Sequence, residues 1–148
     1  MSLPSSVPEL SVVVRATGSG FPQEIVAGQH RFSADEPSSA GGTDTGPTPY
    51  ELLLAALGAC ASLTIGMYAR RKNWPLEAIV LRLGHSKIHA EDCFACHTEA
   101  GMLDRIDCEL ELQGSLTPEQ RLRLFDIAEK CPVHRTLTSE IDIQSRLV

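Results

Sequence analysis

Apolar and polar residues alternate in several short stretches near the start of the chain, a pattern typical of β-strands. Residues 9–16 (ELSVVVRA) are rich in β-branched side chains, and 21–27 and 29–34 continue the pattern on either side of Gly28. The pattern therefore predicts a meander of about three strands. Residues 1–8, which hold two prolines, are expected to form a loose N-terminal arm.

A turn-rich stretch, residues 35–49, separates this meander from a long apolar segment. It is too long for a hairpin turn, so it is either a linker or a loop that covers something. Its end predicts the start of a helix, because Thr48 as N-cap, Pro49 and Glu51 make a capping box. The helix is expected to run to about Lys72, before the sequence N-W-P.

The apolar residues of this predicted helix fall on every face, which favours a helix enclosed by other elements. The 18 uncharged residues from Leu52 to Ala69 reach the lower limit for a membrane span. Small residues dominate them, so we expect a central helix of a soluble protein and no membrane partner. The small residues would let another backbone approach closely: Ala55, Ala56, Gly58, Ala59, Ala61 and Gly66.

The second half of the chain predicts a hairpin followed by helices. Residues 76–89 and 105–112 alternate as strands, with a loop over 90–104. A second capping box, TPEQ, starts a helix at Thr117 that should reach about Lys130.

A short helix with Pro132 at its first position follows, and residues 141–148 are expected to close the chain as a strand. The order of elements predicts one α+β domain over residues 1–148.

Composition narrows the function classes. The chain has 148 residues and a net charge of −6, so nucleic-acid binding has no electrostatic basis. The N-terminus lacks the pattern of a signal peptide, which predicts a cytoplasmic protein. In that reducing compartment the five cysteines are unsuited to a structural disulfide framework.

The stretch EDCFACHTE resembles a chemical site because it contains C-x-x-C-H. Covalent haem attachment uses this spacing but follows export, so haem is disfavoured. A zinc site is a second interpretation, although a clear second pair of ligands is lacking. An exposed loop with incidental thiols is the third and simplest. The candidate ligands are His85, His89, Cys93, Cys96 and His97.

Two other cysteines have contrasting surroundings. Cys60 lies in the middle of the predicted long helix, where burial favours an inert core thiol. Cys131 precedes a helix that begins with Pro132, and Lys130, His134 and Arg135 lie nearby. The helix N-terminus and these basic groups are expected to lower the thiol pKa of Cys131. A reactive thiol and a poor N-cap remain equally good interpretations of Cys131.

The segments GPTPYELLLAALGAC and CPVHRTL together resemble the OsmC/Ohr family, and the order of elements agrees over nearly the whole chain. The resemblance implies an α+β fold in which two chains intertwine as a homodimer, with active sites at the interface. In the family, Cys60 corresponds to the cysteine that attacks the peroxide and Cys131 to the resolving cysteine. The implied substrate is an organic hydroperoxide, the implied reductant is a lipoyl-type dithiol, and neither metal nor cofactor is required.

The sequence departs from the family at the pair that activates the first cysteine. Tyr50 stands where the family has Glu, Glu51 lies on the opposite side of the helix from Cys60, and Arg15 is not aligned with the family Arg.

Two hypotheses follow. The first is a thiol-dependent peroxidase, with an apolar pocket formed by Leu53, Leu57 and Leu63. The second is a dimeric binding or redox-sensing protein with little turnover. A metal-stabilised variant that uses Cys93 and Cys96 is a third, weaker one.

Overall fold

The computed structural model describes residues 11–16 and 18–148. These divide into two compact units that meet in the chain between Leu52 and Leu53. The prediction of a single domain stays a prediction. The arm predicted over 1–8 and the predicted first strand residues at Glu9 and Leu10 lie outside the described residues.

The first unit contains the predicted meander, which is confirmed. Its antiparallel strands are β1 (Val12–Ala16), β2 (Gln23–Ala27) and β3 (His30–Ala34), in that order across the sheet. Ile25 faces inward at the centre of β2, opposite Val14 on one side and Phe32 on the other. The turn between β2 and β3 falls at Gly28, whose φ of 62° suits glycine.

The loop after β3 is ordered around one buried carboxylate, that of Asp35, whose exposed fraction is 2%. Its carboxylate accepts a hydrogen bond from the backbone N–H of Glu36 (2.8 Å). It also accepts from the backbone N–H and the hydroxyl of Thr43 (3.2 and 2.6 Å). Thr45 donates in the same two ways (3.1 and 2.8 Å). These bonds hold the pKa of Asp35 far below its usual value, and the bond from the Thr43 hydroxyl has the largest effect. The stretch is therefore an ordered loop and not a flexible linker.

Helix α1 (Pro49–Arg71) has the predicted bounds to within one residue. At its start, the Thr48 N–H donates to the Glu51 carboxylate (2.8 Å) and the Glu51 N–H donates to the Thr48 hydroxyl (3.2 Å), so the predicted capping box is present. At its end, Asn73 adopts a left-handed φ of 54° and the Trp74 N–H donates to the Ala69 carbonyl (2.9 Å). This is the geometry of a Schellman C-cap.

Two apolar stripes run along α1 on opposite sides. One is buried in the second unit and consists of Leu57, Ala61, Ile65 and Ala69. The other is exposed and includes Leu63 and Met67, at 64% and 65% exposure. Within a single chain, other elements therefore cover only one face of α1, although the sequence predicted a helix covered on every face. Among the described residues, α1 is the one helix long and apolar enough to cross a membrane, a test that core helices of soluble proteins also pass.

A long antiparallel hairpin of β4 (Leu76–His89) and β5 (Met102–Gly114) packs against the buried stripe of α1. The bounds of β4 are those predicted. Strand β5 begins three residues before the predicted Arg105, so the connecting loop is shorter than expected. The helix approaches this hairpin closely at Gly58, where a Cβ atom would lie 2.8 Å from Leu83 Cδ1.

Helix α2 (Pro118–Ala128) packs through Leu124 against the part of the core that contains Ile65 and Ala69. Thr117 and Gln120 form both bonds of the predicted capping box, at 3.0 and 3.1 Å. The helix ends two residues before the predicted Lys130. Leu124 is fully buried against Ile65, and α3 (Pro132–Leu137) follows as predicted.

The predicted C-terminal strand over residues 141–148 is wrong for the single chain. The segment forms no strand, and its apolar residues Ile141 and Ile143 are 50% and 81% exposed. Its alternating pattern is real, but a strand also needs a partner edge, and no strand of the described chain pairs with it.

Candidate active site at the Cys60–Cys131 pair

Cys60 and Cys131 lie side by side, although they belong to different helices. Cys60 is in the fourth turn of α1 and is half-buried, while Cys131 is the N-cap of α3 and is fully buried. Both pack in one apolar cluster with Leu57 and Ala61. Within this cluster the side chain of Cys60 packs against that of Cys131. The structure thus brings together the two cysteines that the sequence singled out.

The surroundings of Cys131 contradict the predicted low pKa. Burial raises the pKa of this thiol, the backbone N–H of His134, 3.3 Å from Sγ, lowers it in part, and the neighbouring Cys60 raises it. Lys130 and Arg135 are exposed, so their charges are screened by water. The prediction from local sequence was wrong because burial, a tertiary effect, outweighs the helix N-terminus and the nearby basic residues.

An apolar cavity of about 220 Å³ lies next to the cluster that holds the two cysteines, since it shares Leu57 and Ala61 with that cluster. Helix α1, both strands of the hairpin and helix α2 supply its walls, which include Leu57, Leu81, Leu83, Ile106 and Phe125. A neighbouring cavity of about 250 Å³ shares Leu57, Ile106 and His134 with it. The apolar walls suit an alkyl or aryl group better than a small polar molecule.

The predicted pocket of Leu53, Leu57 and Leu63 is correct for Leu57 only. Leu63 lines a different cavity, together with Gly66 and Ile79, because it lies on another face of α1. Leu53 lines neither that cavity nor the two that Leu57 lines. The hairpin residues that do line the pocket alternate along β5, so their common face could be read from the sequence, but its proximity to Cys60 could not.

Cys108 is a third free thiol at this site. It lies on β5 opposite Leu83 and faces both cavities next to His134. Partial burial by the cavity walls raises the pKa of its thiol. Cys108 is therefore protonated at neutral pH and contributes a small, weakly polar surface to the pocket.

The arginines of the meander and the Glu of the first capping box have partners other than Cys60. Arg31 forms an ion pair with Glu24 at 3.0 Å, and Arg15 approaches the same carboxylate at 4.0 Å. Glu51 is accounted for by the capping box at the start of α1. Tyr50, at the position of the family Glu, is half-exposed.

The C-x-x-C-H stretch forms neither a haem nor a zinc arrangement. Cys93 and Cys96 are joined by a disulfide. Within residues 11–16 and 18–148, no three His, Cys, Asp or Glu side chains are grouped so that they could hold a metal ion. The stretch is the exposed loop of the third interpretation, but its two cysteines are bonded to each other.

The chain belongs to the family of OsmC-like proteins, whose sequence model matches residues 42–146 and thus both Cys60 and Cys131. The resemblance seen in the sequence is confirmed. No curated protein sequence matches the chain significantly.

Solved structures show the same α+β fold at low sequence identity. An OsmC-like protein of Mycoplasma pneumoniae has 18% identity and a TM-score of 0.68, with 87% of this chain and 86% of that chain covered. The organic hydroperoxide resistance protein OsmC of Legionella pneumophila has 20% identity and a TM-score of 0.62, with 92% and 95% covered. The organic hydroperoxide resistance protein OhrB of Bacillus subtilis has 21% identity and a TM-score of 0.59, with 90% of this chain and 93% of that chain covered.

Proposed function

We propose that this protein is a thiol-dependent peroxidase that reduces organic hydroperoxides, with Cys60 as the attacking thiol and Cys131 as the resolving thiol. The observation that carries the proposal is the contact between the two free thiols beside an apolar cavity. Two structural neighbours are named organic hydroperoxide resistance proteins, which supports the choice of substrate class.

The reaction balances with these two thiols and an external dithiol. The Cys60 thiolate attacks the O–O bond of the hydroperoxide, which gives a sulfenic acid on Cys60 and, after protonation, an alcohol. Cys131 then attacks the Cys60 sulfur, water leaves, and a Cys60–Cys131 disulfide forms. A dithiol of the lipoyl type returns both cysteines to thiols and is itself oxidised to a disulfide. No step needs a metal or an organic cofactor.

The protonated state of Cys131 suits the resolving role. Since burial raises its pKa, Cys131 is a poor nucleophile towards peroxide at neutral pH, while the half-buried Cys60 is open to substrate. The hydrogen bond from the His134 N–H to Cys131 Sγ fixes the position of that sulfur next to Cys60. The order of events, Cys60 first and Cys131 second, follows from these unequal surroundings.

The working form in this proposal is a homodimer. The exposed stripe of α1 around Leu63 and Met67 is apolar enough to be covered by a second copy. The C-terminal segment, with Ile141 and Ile143 exposed, has an alternating pattern that a strand edge of the second copy would pair with. A cytoplasmic location, expected from the sequence, stays a prediction.

A second candidate is a dimeric binding or redox-sensing protein that turns over slowly. It is favoured by the lack of a Glu at position 50 and by the ion pairs that Arg15 and Arg31 make with Glu24. In that case Cys60 and Cys131 would still form a disulfide, but the activated thiolate needed for fast attack would be missing.

Turnover of cumene hydroperoxide with dihydrolipoamide as reductant separates the two candidates. The peroxidase predicts fast turnover that is lost in Cys60→Ser and strongly reduced in Cys131→Ser. A Cys93→Ser, Cys96→Ser double variant is the matched control, since it removes two cysteines away from the cavity. Slow turnover in the wild type, with Cys60 oxidised once and not recycled, would support the sensor instead.

A further inference from the structure

The tip of the β4–β5 hairpin carries a cysteine pair that the proposed peroxidase reaction does not use. Cys93 and Cys96 are joined by a disulfide, with their Cα atoms 5.5 Å apart, while Cys60, Cys108 and Cys131 are free thiols. The five cysteines are therefore divided into an oxidised pair in a loop, two thiols packed in one apolar cluster, and Cys108 in the wall of the neighbouring cavity.

The loop pair is too far from the cavity to exchange with it inside one chain. Leu83 lines the cavity, and β4 continues for six residues beyond it to His89, where the loop begins. At about 3.3 Å per residue this is about 20 Å, whereas thiol–disulfide exchange requires the sulfurs to be in contact. The loop disulfide is thus a separate site.

A structural purpose explains this disulfide poorly. It encloses only Phe94 and Ala95, and the entropy removed from an unfolded chain by such a small ring is the smallest that a disulfide can remove. The loop is already closed at its base, where the Ala90 N–H donates to the Gly101 carbonyl (2.8 Å) beyond the paired residues of β4 and β5. The disulfide can therefore open and close while the hairpin stays folded.

The disulfide is open to attack from solvent. Cys96 is exposed and Cys93 is half-buried, while Phe94 between them is fully exposed at 104%. An incoming thiolate can therefore reach Cys96 Sγ more easily than Cys93 Sγ. The exposed phenyl ring offers an apolar contact to whatever carries that thiolate.

We propose that Cys93 and Cys96 form a second, solvent-facing redox site that exchanges electrons with an external dithiol. One thiolate of the dithiol bonds to Cys96 Sγ and displaces Cys93 as a thiolate, which takes up a proton. The second thiol of the dithiol then bonds to the first and releases Cys96. The dithiol is oxidised to a disulfide, and the protein gains two electrons and two protons as Cys93–SH and Cys96–SH.

The charges on the loop select the kind of dithiol. The exposed acidic residues around the pair are Glu91, Asp92 and Glu99. They repel an anionic thiol such as glutathione and favour a dithiol with neutral or basic surroundings. Two sources supply that chemistry: a protein dithiol of the C-x-x-C type, and a small neutral dithiol such as dihydrolipoamide.

Differential alkylation of the wild-type protein followed by peptide mass spectrometry tests the proposal. Oxidised, folded protein is incubated with thioredoxin, dihydrolipoamide or glutathione at equal thiol concentration, and free Cys93 and Cys96 are measured against time. At least one of the two dithiols should reduce the pair about tenfold faster than glutathione does, and the faster dithiol identifies the source. Peptides quenched early should carry the adduct on Cys96.

Two further readouts keep this test independent of the peroxidase. The Tm should be nearly the same with the loop oxidised and reduced, and the Cys93→Ser, Cys96→Ser variant should keep its hydroperoxide turnover when dihydrolipoamide is supplied directly. The proposal is overturned if the pair resists both dithiols until the protein unfolds. It is equally overturned if oxidised protein retains two free thiols in this loop.

Discussion

The Cys131 thiol is fully buried against that of Cys60, and the N–H of His134 points at its sulfur from 3.3 Å away. One thiol of the pair is thus enclosed and the other partly open. This difference, rather than any feature of the local sequence, assigns the two sulfurs to different steps of the proposed reaction.

The pH dependence of the resolving step follows from the raised pKa of Cys131. Only the thiolate of Cys131 attacks the Cys60 sulfenic acid. As long as the pH is below the pKa of Cys131, each increase of one pH unit should therefore raise the rate of disulfide formation about tenfold. Trapping the sulfenic acid with dimedone at pH 6, 7 and 8 measures its lifetime, which should shorten in that order. In Cys131→Ser the lifetime should be long at all three values. A lifetime independent of pH in the wild type would contradict the assigned role.

Two glycines of α1 provide a matched pair for the packing of the helix on the hairpin. At Gly66 the nearest atoms to an added Cβ are 4.0 Å away, so Gly66→Ala should raise the free energy of unfolding by about 0.5–1 kcal/mol. At Gly58 the Cβ would lie 2.8 Å from Leu83 Cδ1, and Gly58→Ala should instead cost about 1–3 kcal/mol. Urea unfolding measures both. Equal effects of the two substitutions would show that α1 is not held this closely against β4.

Asp35 should make the stability of the protein depend on acid. Its folded-state pKa is depressed below the ordinary 3.8, so its contribution is present above about pH 4 and is lost as the pH falls below that value. Asp35→Asn should lower the Tm at pH 7, and the gap to the wild type should narrow towards pH 3. Asp44→Asn is the control in the same loop, because Asp44 is exposed and Asn tolerates its φ of 54°. A gap that persists unchanged at pH 3 would rule out the carboxylate as its cause.

The exposed stripe of α1 should hold two chains together. Met67→Glu places a charge on that stripe and should shift the molar mass measured by light scattering from dimer towards monomer. Leu122→Glu, on α2 and equally exposed, should leave the mass unchanged. A monomeric wild type, or a Met67→Glu protein that remains fully dimeric, would refute this interface.

Features set by nearby residues were predictable from the sequence. The capping boxes at Thr48 and Thr117 placed the helix starts correctly because each involves residues three apart. The strand alternation placed β4 and much of β5 for the same reason. The pairing of Cys60 with Cys131 was implied by the family resemblance, since neither spacing nor composition places two distant residues together.

Features set by distant contacts were missed. The low pKa expected for Cys131 failed because burial outweighs the charges next to it in sequence. The strand expected at 141–148 failed because alternation does not supply a partner edge. The pocket wall at Leu81 and Ile106 was not anticipated because it depends on how the hairpin packs against α1.

The bond that forms after one equivalent of peroxide tests the central claim most directly. Reduced protein is mixed with one equivalent of cumene hydroperoxide, quenched by acid and alkylation, and mapped by mass spectrometry. We expect a Cys60–Cys131 disulfide in the wild type, a Cys60 sulfenic acid in Cys131→Ser, and no consumption of peroxide in Cys60→Ser. Cys60 and Cys131 left as free thiols in the wild type, with the peroxide unreacted, would contradict it.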